Sequence, residues 1–417
     1  MATTLLDKHI PELAAKYLRL FPVCLYRRKV LLMTCCCCFL LLSTSTLLYY
    51  RQIHQLSPLF NTRAVSWMKD ESEVVKVCAP RSNIAFLKNH KCASSAIQNI
   101  LFRYAEQHDL QPALPDHSNY FGGGLRTFRS EFYTGSPWAK LGVNIFAIHT
   151  KWNHDEVAKI MPNNTVYVTI IREPTSLFTS LFSYSLFQKR TGLTADEYIL
   201  QTPVEGKRLL GWLGFNQMTW DLGMIKEDMN NLTKVARMVR EASDRFDLVM
   251  VAERMEESLV LLAHLMCWPL SDVIVPKLNA RSDKYHFNMS QEILKVLQEK
   301  QAPDHLVYDH FQRRFDSLVD AFGRERMAQE VSKLRNLTKD LMTKCKMNKK
   351  PSTELRGIYK PWSNQIEGYT AGNTTDKRCQ RIANTELPSS GTSGTNNTKK
   401  SWQDSASPTT SGCTPLT

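Results

Sequence analysis

The chain has 417 residues, of which 43% are hydrophobic, and a formal net charge of +13. That length holds one large or two modest domains, and the apolar fraction with eight tryptophans excludes a disordered chain. The basic excess points to anionic partners. Nucleic acid is disfavoured, because the basic residues are scattered and no zinc spacing or RNA-binding signature accompanies them.

The first predicted element is a membrane anchor. Val30 to Tyr50 runs for 21 residues without a charge, long enough to span a bilayer. Arg27-Arg28-Lys29 precedes it and only Arg51 follows closely. The positive-inside rule then leaves residues 1–29 as a cytosolic tail and puts the rest of the chain in a lumen, a single-pass type II arrangement. For a signal peptide the run is too long and too far from Met1, and Leu47-Leu48-Tyr49-Tyr50 is a poor cleavage site. Six N-x-[ST] sequons, at Asn163, Asn231, Asn288, Asn336, Asn373 and Asn396, all follow the span. Six of the eleven cysteines also follow it: Cys78, Cys92, Cys267, Cys345, Cys379 and Cys413. In an oxidising lumen some of these pair, with a connectivity that spacing does not give. Cys92, inside a basic loop, is the least suited to a bridge.

Residues 51–77 read as a stem and 78–348 as the lumenal domain. Within that domain Ile84–Leu87 is an expected strand and Ser94–His108 an expected helix, apolar at Ile97, Ile100, Leu101 and Tyr104. Asn144–His149 is a second strand, and Asp155–Ile160 a short helix stopped by Pro162. Thr165–Ile171 is a continuous β-rich run suited to a strand buried on both faces. Pro174 opens a helix where proline is tolerated. Asp247–Val251 is a further strand, Glu256–Met266 a helix, and Asp272–Val275 is strand-like. Asp304–Lys344 reads as one long helix or two, with a stripe of Leu306, Phe311, Phe315, Leu318 and Phe322 for the core. Residues 349–388 form a C-terminal extension. The tail 389–417 is low in complexity and expected to be disordered.

Strands alternating with helices predict an α/β fold with a central, mostly parallel sheet. Ligands in such sheets bind at the carboxyl ends of the strands, and Lys91, His149 and Arg172 each fall just past a different strand. Lys91 lies in Phe86-Leu87-Lys88-Asn89-His90-Lys91-Cys92-Ala93-Ser94-Ser95, a strand, basic turn and helix start. Unpaired N–H groups at a helix N-terminus attract anions. Lys88, Lys91, Ser94 and Ser95 are therefore candidates for a phosphate-like ligand. The loop lacks the glycines of G-x-x-x-x-G-K-[ST], which argues against an ATP-using kinase or nucleotidase. The second element is Ile171-Arg172-Glu173-Pro174 with Ser180 eight residues after the arginine. Arg172 offers a bidentate contact to a phosphate, and Ser180 on the next helix is a candidate to share it. Tyr120, Phe121, Phe128, Phe132 and Tyr133 offer either an aromatic floor for a sugar or core packing.

Together the two elements resemble the nucleotide-binding signatures of Golgi sulfotransferases. Asn99-Ile100-Leu101-Phe102-Arg103, Gly214-Phe215-Asn216 with Asp221-Leu222-Gly223, Glu257-Ser258-Leu259-Val260-Leu261-Leu262, Lys277-Leu278-Asn279-Ala280-Arg281 and Ala321-Phe322-Gly323-Arg324-Glu325-Arg326-Met327 narrow the resemblance to the galactose-3-O-sulfotransferase family. It covers about Arg81 to Cys345. The resemblance implies a P-loop-like sulfotransferase fold behind the anchor, in the Golgi membrane. It implies 3′-phosphoadenosine 5′-phosphosulfate (PAPS) as sulfuryl donor, no metal, and the 3-hydroxyl of a terminal β-galactose as acceptor. The 5′-phosphosulfate is then expected on Lys91, Ser94 and Ser95, and the 3′-phosphate on Arg172 and Ser180. Lys88 belongs to the same donor site, and the segment carrying Arg281 closes over the nucleotide. His149 is the expected general base, with His90 and His154 as nearby alternatives. A galactolipid and a glycoprotein glycan both stay open as acceptor, as do a homodimer and a catalytically inactive glycan-binding homologue. The chain departs from the family loop at Asn89 and Cys92, where threonine is usual, and at Ala96, where it is frequent.

Overall fold

The computed structural model describes residues 78–115, 119–135, 137–204, 206, 208–276, 289–360, 366–372 and 374–384, all within one compact unit spanning Asn61–Thr417. The expected span Val30–Tyr50, the stem, Arg281, the sequons at Asn288, Asn373 and Asn396, and the low-complexity tail lie outside those residues. Among the described residues no helix is long and apolar enough to cross a membrane.

Four parallel strands form the centre: β1 (Ile84–Leu87), β2 (Ile145–Phe146), β3 (Val166–Ile171) and β4 (Leu248–Val251), in the order β2-β1-β3-β4. Ile84 stands opposite both Ile145 and Val166, and Val168 opposite Leu248. Every residue of β1 and β4 is buried, as expected for strands covered by helices on both faces. The chain leaves β1 for β2 on one side and returns to β3 on the other. The order therefore reverses between β1 and β3, the place where ligands bind in open parallel sheets.

The helices that matter for the site follow these strands. Helix α1 (Ser94–Gln107) leaves the β1 loop, and α2 (His154–Ala158) follows β2 with Asn153 accepting from the Glu156 N–H as its cap. Helix α3 (Pro174–Tyr184) has proline in its first turn, and the Glu173 carboxylate caps the N–H groups of Thr175 and Ser176. A short helix α4 (Gln217–Asp221) is capped by the carboxylate of Asp304, which accepts from the Met218 and Thr219 N–H groups and the Thr219 hydroxyl. Helix α5 (Leu232–Arg245) precedes β4, and α6 (Met255–Met266) follows it.

The expected long C-terminal helix is two, α7 (Ala302–Phe322) and α8 (Arg324–Lys344). Gly323 between them has φ +92°, which favours glycine and ends α7. Phe311, Phe315, Leu318 and Phe322 are buried as the stripe required, whereas Leu306 is only partly buried. An antiparallel pair, β5 (Asn348–Pro351) and β6 (Glu367–Thr370), and helix α9 (Lys377–Ala383) complete the described fold. Disulfides join Cys78 to Cys267 and Cys345 to Cys379, the second tying α9 to the end of α8, while Cys92 is free and buried.

Two expected strands differ. Regular pairing of the second covers only Ile145–Phe146, after which the segment continues through isolated bridges of His149 with Tyr120 and of Lys151 with Thr127. Asp272–Val275 is not a strand. A 3-10 turn covers Leu270–Asp272, and Val273 and Ile274 are nonetheless buried. A short apolar run reports burial but does not by itself specify a strand.

Candidate active site

The loop from Lys88 to Ala93 turns sharply. Lys91 and Ala93 both have φ +58°, a sharp curl leading into α1, and no side chain caps that helix. Successive N–H groups in such a curl form an anion-binding concavity, and the helix dipole adds to it. The donor set and the uncapped helix start therefore suit a phosphosulfate.

The loop is held from beneath. Asn89 donates from Nδ2 to the Ile170 carbonyl at 2.9 Å and the Thr169 hydroxyl at 3.3 Å. Ser94 donates its hydroxyl to the Asn89 carbonyl at 2.6 Å. Cys92 is fully buried, its Sγ 3.4 Å from the His90 carbonyl, and burial pushes its thiol pKa up. All three departures from the family loop, Asn89, Cys92 and Ala96, are thus buried positions. Their side chains pack the floor of the loop.

Arg172 crosses the β1/β3 switch. Its Nη1 donates to the Lys91 carbonyl at 3.0 Å, and Nε and Nη2 both reach the Ser176 hydroxyl, at 3.2 and 2.9 Å. The hydroxyl brought to Arg172 is therefore that of Ser176, which spacing did not single out. Ser180 stands one turn further along α3, half-buried. Lys91 carries its ammonium 3.2 Å from the centre of the Tyr184 ring, a cation–π contact. Lys88 is buried beneath the loop, and Ser95 is half-buried at the start of α1.

His149 lies just past β2 and is 9% exposed. Its Nδ1 is 2.8 Å from the Lys88 carbonyl. A carbonyl only accepts, so Nδ1 carries the hydrogen and Nε2 presents a bare lone pair. Burial, reinforced by Lys88 and His90, holds the His149 pKa well below the ordinary imidazole value. The ring is therefore neutral at neutral pH, the form a base requires.

His90 stacks on His149 with centroids 4.2 Å apart, and Tyr120 stacks on His149 at 5.0 Å. His90 is itself gripped by Asp221, which accepts from the His90 N–H at 2.8 Å and pairs with Nδ1 at 2.8 and 2.9 Å. Gln217 donates to Asp221 at 2.9 Å, and Arg208 donates to Gln217 at 2.8 Å. Gly223 makes this approach feasible: a Cβ there would sit 2.4 Å from the Trp152 carbonyl, beside the Trp152 N–H that donates to the Asp221 carbonyl. Of the expected aromatic floor, Phe121, Phe128 and Tyr133 are core, and Tyr120 alone joins the stack. His154 lies away from the stack, against Tyr167 and Trp152.

The structure thus brings Lys91, Arg172 and His149 around one switch point and adds Ser176, Asp221, Gln217 and Arg208. Asp221 was visible only as part of a family motif. Its pairing with His90, 131 positions earlier, has no signal in spacing. Among the described residues no cluster of His, Cys, Asp or Glu could hold a metal ion.

These features define a parallel α/β protein with an anion-binding loop and a histidine base candidate at its strand ends. The galactose-3-O-sulfotransferase family model matches residues 12–391, and the chain belongs to that family. It is 36% identical over 276 residues to human galactosylceramide sulfotransferase, covering 64% of this chain and 65% of that protein. It is 32% identical over 335 residues to mouse galactose-3-O-sulfotransferase 3, covering 73% and 75%. Against mouse galactose-3-O-sulfotransferase 2 it is 32% identical over 332 residues, covering 74% and 83%.

Proposed function

We propose that this chain is a PAPS-dependent galactose 3-O-sulfotransferase with a P-loop-like sulfotransferase fold. We further propose that it acts in the Golgi membrane as a type II protein, on galactosylceramide or a related galactolipid. The observation that carries the reading is the convergence of a loop lysine, a phosphate-type arginine and a neutral histidine at the β1/β3 switch. It is supported by the Arg172 contact to the Lys91 carbonyl and the His149 contact to the Lys88 carbonyl. Relatives named for sulfation of galactosylceramide and of galactose support the acceptor class.

PAPS supplies the sulfuryl group. Lys88, Lys91, Ser95 and the α1 N-terminus hold its 5′-phosphosulfate, and Ser94 joins them by turning its hydroxyl away from Asn89. Arg172 holds the 3′-phosphate, with Ser176 orienting the guanidinium and Ser180 on the same helix. His149 Nε2 takes the proton of the galactose 3-hydroxyl as that oxygen bonds to sulfur and the bridging S–O bond opens. Lys91 leaves Tyr184 to neutralise the charge growing on the departing phosphate oxygen. Anion binding also offsets the Lys88 and Lys91 charges that depress His149, making the ring a stronger base when the donor is present. Positioning and electrostatics carry most of such a transfer.

The test is the full chain in detergent micelles with PAPS and, in parallel, galactosylceramide, lactosylceramide and an N-acetyllactosamine glycan. The expected result is nucleotide release with sulfate on galactose C3, fastest with galactosylceramide. Preference for the glycan would move the acceptor to glycoproteins. No turnover with any acceptor, from protein that still binds the donor product, would leave a glycan-binding homologue.

A further inference from the structure

Lys151 is a buried cation without a use in the scheme above. It lies two residues after His149 in an extended segment, so the two side chains share a face. It is only 5% exposed, and its ammonium sits 3.8 Å from the centre of the Trp220 ring. Among the described residues no oxygen lies within hydrogen-bond reach of that ammonium. A cation–π contact returns only part of what desolvating an ammonium costs. A second donor nearby has no protein acceptor: the Trp212 Nε1–H is buried without a partner among the described residues.

The two donors belong to one surface. Arg208 donates from Nε to the Trp212 carbonyl at 3.0 Å and lies 4.7 Å from the Trp220 ring. Trp212 stands 5.7 Å from Tyr120, which stacks on His149. Aromatic rings and two donors without a protein acceptor thus continue from the candidate base to Lys151. Resting on the sulfotransferase reading, we infer that Lys151 and Trp212 form the acceptor-sugar subsite, donating to oxygens of a β-galactoside laid along Tyr120 and Trp212. A sugar offers both an apolar face and several acceptor oxygens. An anionic ligand fits less well, because Arg208 is committed to the Trp212 and Phe215 carbonyls and the Gln217 side chain.

The experiment uses the full chain in micelles, saturated with 3′-phosphoadenosine 5′-phosphate, with methyl β-lactoside as the probe. Binding is followed by calorimetry and by saturation-transfer NMR. Lys151→Met and Trp212→Phe should each weaken lactoside binding by roughly tenfold or more, the range for losing a hydrogen bond from a charged or buried donor. Nucleotide affinity should not change. The thermal midpoint of Lys151→Met should equal or exceed the wild-type value, because the cost of desolvating the lysine side chain is gone. Burial, with Arg208 opposing and Glu227 and Asp221 favouring the charge, brings the Lys151 pKa down to about 8. Lactoside affinity should therefore fall as pH rises through that value, and Lys151→Arg should hold it to higher pH. Unchanged lactoside affinity in both variants, or no lactoside binding by wild type, would overturn the subsite. Lactoside binding that depends on Lys151, in a protein that transfers no sulfate, would uphold the subsite and refute the enzyme reading instead.

Discussion

The guanidinium of Arg172 donates to the main-chain carbonyl of Lys91 across 3.0 Å, joining the ends of β1 and β3. One arginine thus sets the shape of the anion loop and presents positive charge beside it. Its remaining nitrogens are aligned by Ser176.

Replacing Arg172 by alanine should weaken binding of 3′-phosphoadenosine 5′-phosphate by about 10- to 100-fold, the range for charge-assisted hydrogen bonds. Lysine should restore only part of this, because it lacks the planar fork. Ser176→Ala should cost less, about threefold to tenfold. Calorimetric titration of the three variants checks the order. Equal affinity in Ser176→Ala and Arg172→Ala would contradict it.

Asp221→Asn keeps the shape and removes the charge that grips His90. Leaving a buried imidazole N–H with a weaker acceptor should destabilise the fold by about 1–3 kcal/mol. It should also lower turnover by about tenfold or more through a misplaced His90–His149 stack. Urea unfolding and turnover at saturating substrate measure the two effects. Full turnover with normal stability would remove Asp221 from the site.

His149 gives stability a pH dependence with a definite sign. Its folded pKa lies well below the ordinary imidazole value because of burial and nearby cations. Above about pH 6.5, the unperturbed value, neither folded nor unfolded state binds the proton. Below it the unfolded state takes the proton first, so stability falls as pH drops toward the folded pKa. His310, brought down to about 4 chiefly by burial, adds to the same window. His149→Asn should flatten part of the loss in thermal midpoint between pH 6.5 and 5. An unchanged slope would place His149 in contact with solvent.

The Cys345–Cys379 bridge closes a loop with a sequence separation of 34. Chain-entropy arguments put its loss at about 4 kcal/mol. Cys345→Ser with Cys379→Ser should lower stability on that scale and release α9 from its contacts on α1, where Asn99 donates to the Arg381 and Asn384 carbonyls. Protection of the α9 amides from hydrogen exchange is the readout.

Much of the sheet was legible because its strands are buried runs with little ambiguity. Ile84–Leu87 matches its expected bounds, and β3 and β4 each begin one residue later than expected. Edge strand β2 was overestimated because its pairing is interrupted, and Asp272–Val275 because burial without a partner strand looks the same in sequence. The expected Lys91, Arg172 and His149 do stand past their strands. What sequence could not give was the choice of partners: the hydroxyl at Arg172 is that of Ser176, four residues on, and His90 is held by Asp221, 131 positions away. The second pairing is fixed by tertiary packing, and no local spacing encodes it. Asn163, Asn231 and Asn336 are exposed, as glycosylation requires. Asn231 also caps α5, through the oxygen that a glycan on its nitrogen would leave in place.

The most direct test separates donor binding from chemistry in one series. Sulfate transfer from PAPS to galactosylceramide, and binding of 3′-phosphoadenosine 5′-phosphate, would be measured for wild type, Lys91→Ala and His149→Asn. Lys91→Ala should lose both transfer and nucleotide affinity. His149→Asn should keep nucleotide affinity within a few-fold and lose about 100-fold or more in transfer, the usual worth of a positioned base. Full transfer by His149→Asn, or no galactose C3 sulfate from wild type, would contradict this mechanism.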